Sequence, residues 1–359
     1  MARKGIASVG DIIKLADGTD PNTIWAEFAS TLAEANAKRG ALVDLLAFRT
    51  TRASDTVLQA PAGTAEFEDA SEYGVPTGAR AEAATIDLGY PLVWKDLGTK
   101  FTWRYLAEAS AAQVESLHNA ALAADSRLQY KTVLNALFND QNRTHSSTEA
   151  TIHALWNGDG SEVPDYNGDT FDPSHTHYTT TESATLAPAD VEFLQGQVLE
   201  HGYGEDDGSQ LVILCNRNEA DVIAGWRAGA GGAKFDFISS DTSVPYLTTE
   251  QLVGQRPAGN VAGLKVSGQY GHALIAPTSL IPVGYLACVA VGGATPVIGL
   301  REHSNPSTTG LVVIPGNRQD YPLIGSWYTH AVGAGVRQRG GAAVLQVTAS
   351  PTYTAPSFT

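Results

Sequence analysis

The chain has 359 residues, 43% of them hydrophobic and 17% charged, which provides enough apolar side chains for a large core and excludes a disordered protein. Its 23 Lys and Arg residues against 38 Asp and Glu residues give a net charge of −15, which disfavours a sequence-specific DNA-binding protein. No apolar stretch reaches the roughly 18 residues of a membrane-spanning helix. The start, MARKGIASVGD, does not resemble a signal peptide, so we expect synthesis and folding in a reducing cytoplasm.

Residues 1–65 are predicted to form an N-terminal arm rather than a domain. Asp20 and Pro21 are a capping residue and a proline at the first helical position, and Trp25 and Phe28 belong to an apolar face that follows at helical spacing. The flanking chain has too few apolar residues for a core of its own. We therefore expect this short helix to pack on neighbouring chains.

Residues 66–104 are predicted to form an extended β hairpin. Polar and apolar residues alternate in TIDLGYPLVW and again in TKFTWRY, which is the period of two half-exposed strands. A two-stranded ribbon without a covering sheet is only marginally stable by itself. We therefore expect the ribbon to act as a clamp on another chain.

The next segments predict a long helix and then a mixed α/β region. Residues 106–138 contain no glycine or proline, and their apolar residues recur every three and four positions, so they predict one helix of about 50 Å. The polar stretch 139–187 is interpreted as a surface insertion. Residues 188–315 alternate helices and strands, and the chain closes with two β segments joined at Arg339-Gly340-Gly341.

No catalytic, cofactor or metal site is predicted. Cys215 and Cys288 each lie inside an apolar run and are expected to be buried, unreactive thiols. His175 and His177 have the spacing of two ligands on a strand, but a threonine-rich loop is a poor frame for a metal. The weaker candidates are a calcium loop at Asp165, Asn167, Asp169 and Asp172, which lacks the twelfth-position glutamate, and a phosphate loop at GAGGAK, whose spacing is wrong.

The order of these elements resembles the major capsid protein of tailed double-stranded DNA bacteriophages, whose fold is shared with encapsulins. Residues 78–140, from GARAEAATIDLGYPLVW to LQYKTVLNALFND, are similar to the family's extended loop and spine helix. VRQRGGAAVLQV resembles its last strand, and GLKVSG and IPVGYLACVAVG resemble strands of its axial lobe. The resemblance therefore implies an α+β fold with an arm (1–65), an extended loop (66–104), a peripheral domain (105–138 and 316–359), the insertion (139–187) and an axial domain (188–315).

The resemblance also implies the function. We expect a non-enzymatic shell subunit that forms pentamers and hexamers of an icosahedral virion and meets packaged double-stranded DNA non-specifically. Expected partners are other copies of the chain, a portal, a separate scaffolding protein and, in some cases, a decoration protein. We expect the scaffolding protein to be separate because the arm helix begins too early to be preceded by a cleaved scaffolding segment. The alternatives are an encapsulin-type compartment enclosing an enzyme cargo and, in a different class, a stand-alone α/β enzyme.

We expect two kinds of residue at the boundaries between subunits. The first are aromatic residues that their own chain leaves uncovered, and the second are cations that pair with the surplus carboxylates. The candidate interface residues are Trp25, Phe28, Arg80, Tyr90, Trp94, Lys95, Lys100, Arg104, Arg337 and Arg339. Some family members link subunits covalently through a lysine of the extended loop. Lys95 and Lys100 lie in that region, but no convincing asparagine partner is visible, so we expect no such link.

Overall fold

The α+β fold class is confirmed by the computed structural model, which describes residues 14–37, 40–58, 74, 85–144, 150–167, 169–204, 207–242, 255–315 and 323–358. The chain divides into two compact units. Unit one comprises Met1–Gly40, Leu92–Thr132 and Arg301–Gly333, and unit two comprises Ala41–Pro91, Val133–Leu300 and Ala334–Thr359. Among the described residues, no helix combines the length and the apolar character that crossing a bilayer requires.

The helices are α1 (Pro21–Ala37), α2 (Ala41–Leu46), α3 (Trp103–Glu108), α4 (Ala111–Phe138), α5 (Pro188–Leu199) and α6 (Arg217–Ala224). The strands up to the middle of the chain are β1 (Ala47–Thr50), β2 (Ser54–Leu58), β3 (Thr85–Gly89), β4 (Val93–Thr102), β5 (Arg143–Thr144), β6 (Thr151–Ile152), β7 (Tyr178–Thr180), β8 (Gln210–Cys215) and β9 (Ile238–Ser239). The remaining strands are β10 (Asn260–Val261), β11 (Leu264–Lys265), β12 (Gly268–Tyr270), β13 (Ala273–Pro277), β14 (Tyr285–Val291), β15 (Ile298–Glu302), β16 (Val312–Pro315), β17 (Leu323–Val336) and β18 (Ala342–Gln346).

Helix α1 packs inside unit one, and this corrects the prediction of an arm that packs only on neighbouring chains. Ile24 is 4% exposed and packs with Phe101 and Leu106. Phe28 is 7% exposed and its ring stacks on that of His118 with centroids 4.3 Å apart. The sequence showed an apolar face on this helix, but the residues that cover it are distant in the sequence and could not be paired with it from spacing alone.

The helix predicted at 106–138 is interrupted near its start. The short helix α3 is capped by Thr102, whose hydroxyl accepts the Tyr105 N–H, and Ala109 then adopts an extended conformation. Helix α4 begins after this break. The Asp17 carboxylate accepts the N–H of Ala111 and the Gln113 side chain accepts that of Ser110. Two polar side chains thus satisfy N–H groups that the new helix start leaves open.

The two strands predicted for residues 66–104 do not form a hairpin with each other. Strand β3 pairs with β2 in unit two, from Ser54↔Gly89 to Leu58↔Thr85. Strand β4 pairs with β17 in unit one. The segment that connects β2 to β3 lies outside the described residues, except for Gly74.

Tyr90, which follows β3 directly, anchors the end of this strand in unit two. Its ring is fully buried in unit two, with the Phe48 ring edge-on at 6.3 Å. A Cβ on Gly299 would lie 2.4 Å from this ring, so the site can be occupied by Tyr90 only because residue 299 has no side chain. The hydroxyl of Tyr90 donates to Asp55 at 3.1 Å. The alternation of polar and apolar residues predicted β3 correctly, but it could not predict the contact between Tyr90 and Gly299.

Unit two is built around a seven-stranded sheet in the order β7-β18-β14-β8-β13-β12-β9. The apolar runs LVILC and YLACVAV form the central strands β8 and β14, as the sequence predicts. Helix α5 packs against β14 and β18, and α6 packs against β13. The burial predicted for Cys215 and Cys288 is confirmed, and burial raises the pKa of the Cys215 thiol to about 12.

Residues 150–187 belong to this unit, and this corrects the prediction of a surface insertion. Strand β7 pairs in parallel with β18 and forms one end of the sheet. Leu155, Trp156 and Val163 are buried. The stretch is rich in polar residues, and these few buried apolar residues pack it against the rest of the unit.

A buried arginine holds this stretch in place. Arg339 is 4% exposed, and its Nη2 donates to Asp159 at 2.8 Å while its Nε donates to the carbonyl of Ala154 at 3.0 Å. Its guanidinium carbon lies 4.1 Å from the centre of the Trp156 ring. Burial raises the pKa of Asp159, but the hydrogen bond from Asn142 and the charge of Arg339 outweigh it, so the pKa stays well below its usual range.

We predict that Arg339→Ala destabilises the unassembled subunit by about 3–5 kcal/mol, because it leaves the Asp159 carboxylate without its buried cation. Chemical denaturation gives this number. The matched control is Arg52→Ala, since Arg52 also pairs with an aspartate at 3.2 Å but its side chain is 77% exposed. The control should cost less than about 1 kcal/mol. Equal losses in the two variants would contradict a structural role for the buried pair.

We also predict that unit one loses stability as the pH falls from about 6.5 towards 4. Burial lowers the pKa of His118 to about 4 in the folded chain, whereas in the unfolded chain it has the ordinary histidine pKa of about 6.5. The unfolded state therefore binds the extra proton first, and protonation favours unfolding in this window. Unfolding free energies measured at several pH values should show a smaller slope for His118→Gln than for the unchanged protein. Identical slopes would contradict the prediction.

Candidate assembly surface

An exposed apolar surface lies on the three-stranded ladder of unit one. Strand β4 pairs with β17 from Leu323↔Thr102 to Val332↔Val93, and β16 pairs with the other edge of β17 from Val312↔Thr329 to Pro315↔Ser326. Directly paired residues of antiparallel strands share one face of a sheet. Trp327 pairs with Ile314 on one side and with Gly98 on the other, so these residues lie on one face.

This apolar face is only half covered by the subunit. Trp94, Trp327 and Ile314 are 49%, 50% and 51% exposed, and all three follow the same alternation. Trp94 has the His303 ring at 5.3 Å as a partial neighbour. Gly98 places no side chain beside Trp327, whose indole therefore stays accessible along this edge. Ile314 and Trp327 are directly paired, and Trp94 lies on the same face beyond the Asp96↔Thr329 pair. Large, half-exposed apolar side chains gathered on one sheet face are typical of an interaction surface.

Strand β4 is exposed on its second face as well. Val93 and Leu97, which point to the side opposite Trp94, are 47% and 43% exposed. Among the described strands, β4 pairs only with β17. An exposed edge with apolar side chains on both faces is the kind of strand that proteins normally cover or pair.

Four of the candidate interface residues lie in this region, on or next to β4. Trp94 is half exposed, and Lys95, Lys100 and Arg104 are exposed. Alternation places Lys100 on the face of Trp94 and places Lys95 on the opposite face. The strand thus carries two lysines and one exposed aspartate, Asp96, beside its apolar residues, in a chain whose net charge is −15.

Three other candidates are covered within their own units. Phe28 is stacked in unit one, and Tyr90 and Arg339 are buried in unit two with partners in the same unit. Phe28 and Tyr90 were predicted at a subunit boundary as uncovered aromatic residues, and Arg339 as a cation that needs a carboxylate. Each of them finds its cover or its carboxylate within its own unit, so these reasons do not hold. Arg337 is intermediate, with a side chain that is 22% exposed and an Nε 3.5 Å from Asp55.

The last two candidates cannot be placed. The side chain of Trp25 and the whole of Arg80 lie outside the described residues. Two further residues of the apolar face, Trp327 and Ile314, were not predicted as interface residues from the sequence. The available signal was the adjacency of Trp327 and Tyr328, because neighbouring residues of a strand point to opposite faces and only Tyr328 is buried.

Comparison with known proteins identifies the family. No family model matches the chain, and no curated protein matches it. A solved structure from Mycobacterium phage Patience is 36% identical, with 99% of this chain and 96% of that chain covered and a TM-score of 0.77. The capsid of an empty GTA particle, computed with C5 symmetry, is 13% identical with a TM-score of 0.50, covers 87% of this chain and 91% of that one, and shares the fold.

The chain belongs to the major capsid protein family of tailed bacteriophages. It is a structural protein of an icosahedral shell. The holo-SrpI encapsulin complex from Synechococcus elongatus PCC 7942 also matches, at 13% identity, a TM-score of 0.48, and coverage of 88% of this chain and 90% of that one. A likeness at that level carries no weight, whereas the 36% identity supports the phage capsid protein over the encapsulin alternative.

We predict that Phe28→Ala destabilises the unassembled capsid protein by about 3 kcal/mol, because a buried aromatic ring is removed from between His118 and Tyr328. Thermal and chemical unfolding measure the loss. Hydrogen exchange should already show protection of α1 in the unassembled subunit. If α1 were protected only after assembly, it would pack on neighbouring chains, as the sequence predicted for the arm.

Proposed function

We propose that the apolar face of Trp94, Trp327 and Ile314 is covered by a neighbouring copy of the capsid protein in the shell. The observation that carries this proposal is the half exposure of three large apolar side chains on one sheet face. A tryptophan has roughly 200 Å² to bury, so half of it is worth about 2.5 kcal/mol at roughly 25 cal/mol per Å². Two such residues supply a substantial part of one subunit contact.

A second copy is the occupant that the family's role favours. A closed shell repeats one contact many times, and each subunit must present both halves of it. Strand β4 offers an edge and two apolar faces, which suits a contact with more than one neighbour. We infer that pentamers and hexamers are built in part around this strand.

The cations on and next to β4 are proposed to take part in subunit contacts as well. Lys95, Lys100 and Arg104 are exposed next to the apolar residues, and the surplus of acidic residues supplies carboxylates on neighbouring copies. Each exposed pair contributes about 0–1 kcal/mol, so these pairs set orientation and register more than affinity. Trp25 and Arg80 stay proposed members of subunit contacts, and Arg337 stays a peripheral one.

The assembled shell is proposed to enclose double-stranded DNA within the virion, after synthesis in the bacterial host cytoplasm. The net charge of −15 supports a wall that does not hold DNA tightly, since a basic wall would bind it through its phosphates. A portal, a separate scaffolding protein and, in some shells, a decoration protein are the further partners expected of such a subunit.

The test is the double variant Trp94→Ser with Trp327→Ser. We expect the yield of closed shells in electron microscopy to fall at least tenfold, because the loss is repeated at every contact. The unfolding midpoint of the unassembled subunit should change little, since both side chains are already half exposed. The matched control is Phe193→Ser, an aromatic residue of α5 in unit two that is 59% exposed.

The control variant should form shells in normal yield. Normal shells from the double variant would exclude the apolar face as a subunit contact. An equal loss in the double variant and the control would show a general effect of removing exposed aromatic residues, and would also contradict the proposal.

A further inference from the structure

Three histidine side chains converge in unit two. His175 and His177 precede β7, and His201 follows α5. Nε2 of His177 lies 3.0 Å from Nε2 of His175 and 3.0 Å from Nε2 of His201, and the last two atoms are 3.2 Å apart. The carboxylate of Glu200 completes the group, with Oε1 3.5 Å from Nε2 of His175.

His177 is held firmly and its proton is placed by its surroundings. The residue is fully buried, its backbone N–H donates to Trp156 at 2.7 Å, and its carbonyl accepts from Val344 at 2.8 Å. Its Nδ1 lies 2.6 Å from the carbonyl oxygen of Ala342. Because a carbonyl oxygen can only accept, Nδ1 carries the proton and Nε2 of the neutral ring presents its lone pair to the other two rings.

The other rings are also positioned by packing. The N–H of His175 donates to Asp172 at 2.8 Å, and that of Glu200 continues the helical bonding of α5 to Gly196 at 2.9 Å. The Phe171 ring lies against the imidazole of His201 with centroids 4.2 Å apart. On the other side, Gly340 is so close that a Cβ there would lie 3.1 Å from Cγ of His201. These contacts supply the rigid frame that the sequence of a threonine-rich loop did not predict.

Hydrogen bonds among the three rings cannot give all three Nε2 atoms a suitable partner. With the lone pair of His177 as the shared acceptor, His175 and His201 can each donate one N–H to it, but their own nitrogens then face each other at 3.2 Å as two donors. Neutral imidazoles with converging nitrogens are the form in which histidine binds a metal.

We propose that His175, His177 and His201 bind one divalent transition-metal ion, with Glu200 as the fourth ligand. Ligands about 2.0–2.1 Å from a tetrahedral ion lie about 3.3 Å from one another, close to the distances found between the three nitrogens. The hydrogen bond from Nδ1 of His177 to a backbone carbonyl is the outer contact that metal-binding histidines usually make. Imidazole with one carboxylate favours Zn²⁺ or a similar ion over Ca²⁺ or Mg²⁺.

The proposed site is structural. Four protein ligands close the coordination of such an ion and leave no position for a substrate. The ion links the segment that enters β7 to the end of α5, two parts of the capsid protein that are otherwise joined by packing and hydrogen bonds. A cavity of about 210 Å³, lined in part by His201, Tyr166 and Tyr203, adjoins the cluster at His201.

The experiment uses the full-length protein, stripped with a chelator, with Zn²⁺ as the probe. After removal of free metal by gel filtration, elemental analysis should find one zinc per chain. His175→Asn and His201→Asn should each weaken Zn²⁺ binding at least about tenfold, and the control His272→Asn, an exposed histidine elsewhere in unit two, should not. Zn²⁺ should also raise the unfolding temperature of the unchanged protein and of the control, but not of the two cluster variants.

Zinc bound equally well by the cluster variants, or no zinc retained by the unchanged protein, would overturn the proposal. If the variants fail to fold, the unchanged protein still decides the question. X-ray absorption at the zinc edge should then show three imidazole nitrogens and one oxygen around the ion. A spectrum dominated by water or carboxylate oxygens would assign the zinc to a surface site and refute this one. Shell assembly is measured separately, so neither outcome depends on the proposed subunit contact.

Discussion

The paired charge of Arg339 and Asp159 is the constraint on which much of unit two depends. A guanidinium that is 4% exposed needs an ionised partner, because an unpaired charge in the interior is strongly destabilising. Asp159 satisfies that need, and the same guanidinium bonds to the carbonyl of Ala154 and lies over Trp156. One side chain therefore fixes residues 154–159 against the turn between β17 and β18.

That contact organises its surroundings. The carbonyl of Trp156 accepts the N–H of His177, and β7 begins at the next residue and pairs with β18. His177 then reaches the carbonyl of Ala342 at the start of β18 and brings its free ring nitrogen to His175 and His201. The polar segment that looks like an insertion in the sequence is thus an edge of the main sheet and the source of two proposed metal ligands.

Unit one leaves a large apolar surface exposed, although its helix α1 is well buried. Helix α1 buries Phe28 and Ile24, while the ladder of β4, β16 and β17 leaves Trp94, Trp327 and Ile314 half exposed. A protein that functions alone rarely keeps such an apolar face, whereas a shell subunit gains from it, because the face is buried only when the correct neighbour is present. The family relationship and this surface are consistent with each other.

Periodicity and apolar runs are local properties, so the sequence predicts the kinds of element and the burial of Cys215 and Cys288. The order of the elements carries the family resemblance, which implies the α+β class. Which elements meet is visible only in the folded chain: β3 pairs with β2 and β4 with β17, Phe28 has a partner in its own chain, and His201 joins His175 and His177. Alternation fixes the face on which a strand residue lies, but it does not name the strand beside it. That choice depends on contacts between residues far apart in the chain, such as Tyr90 against Gly299, where the absence of one side chain makes room for another.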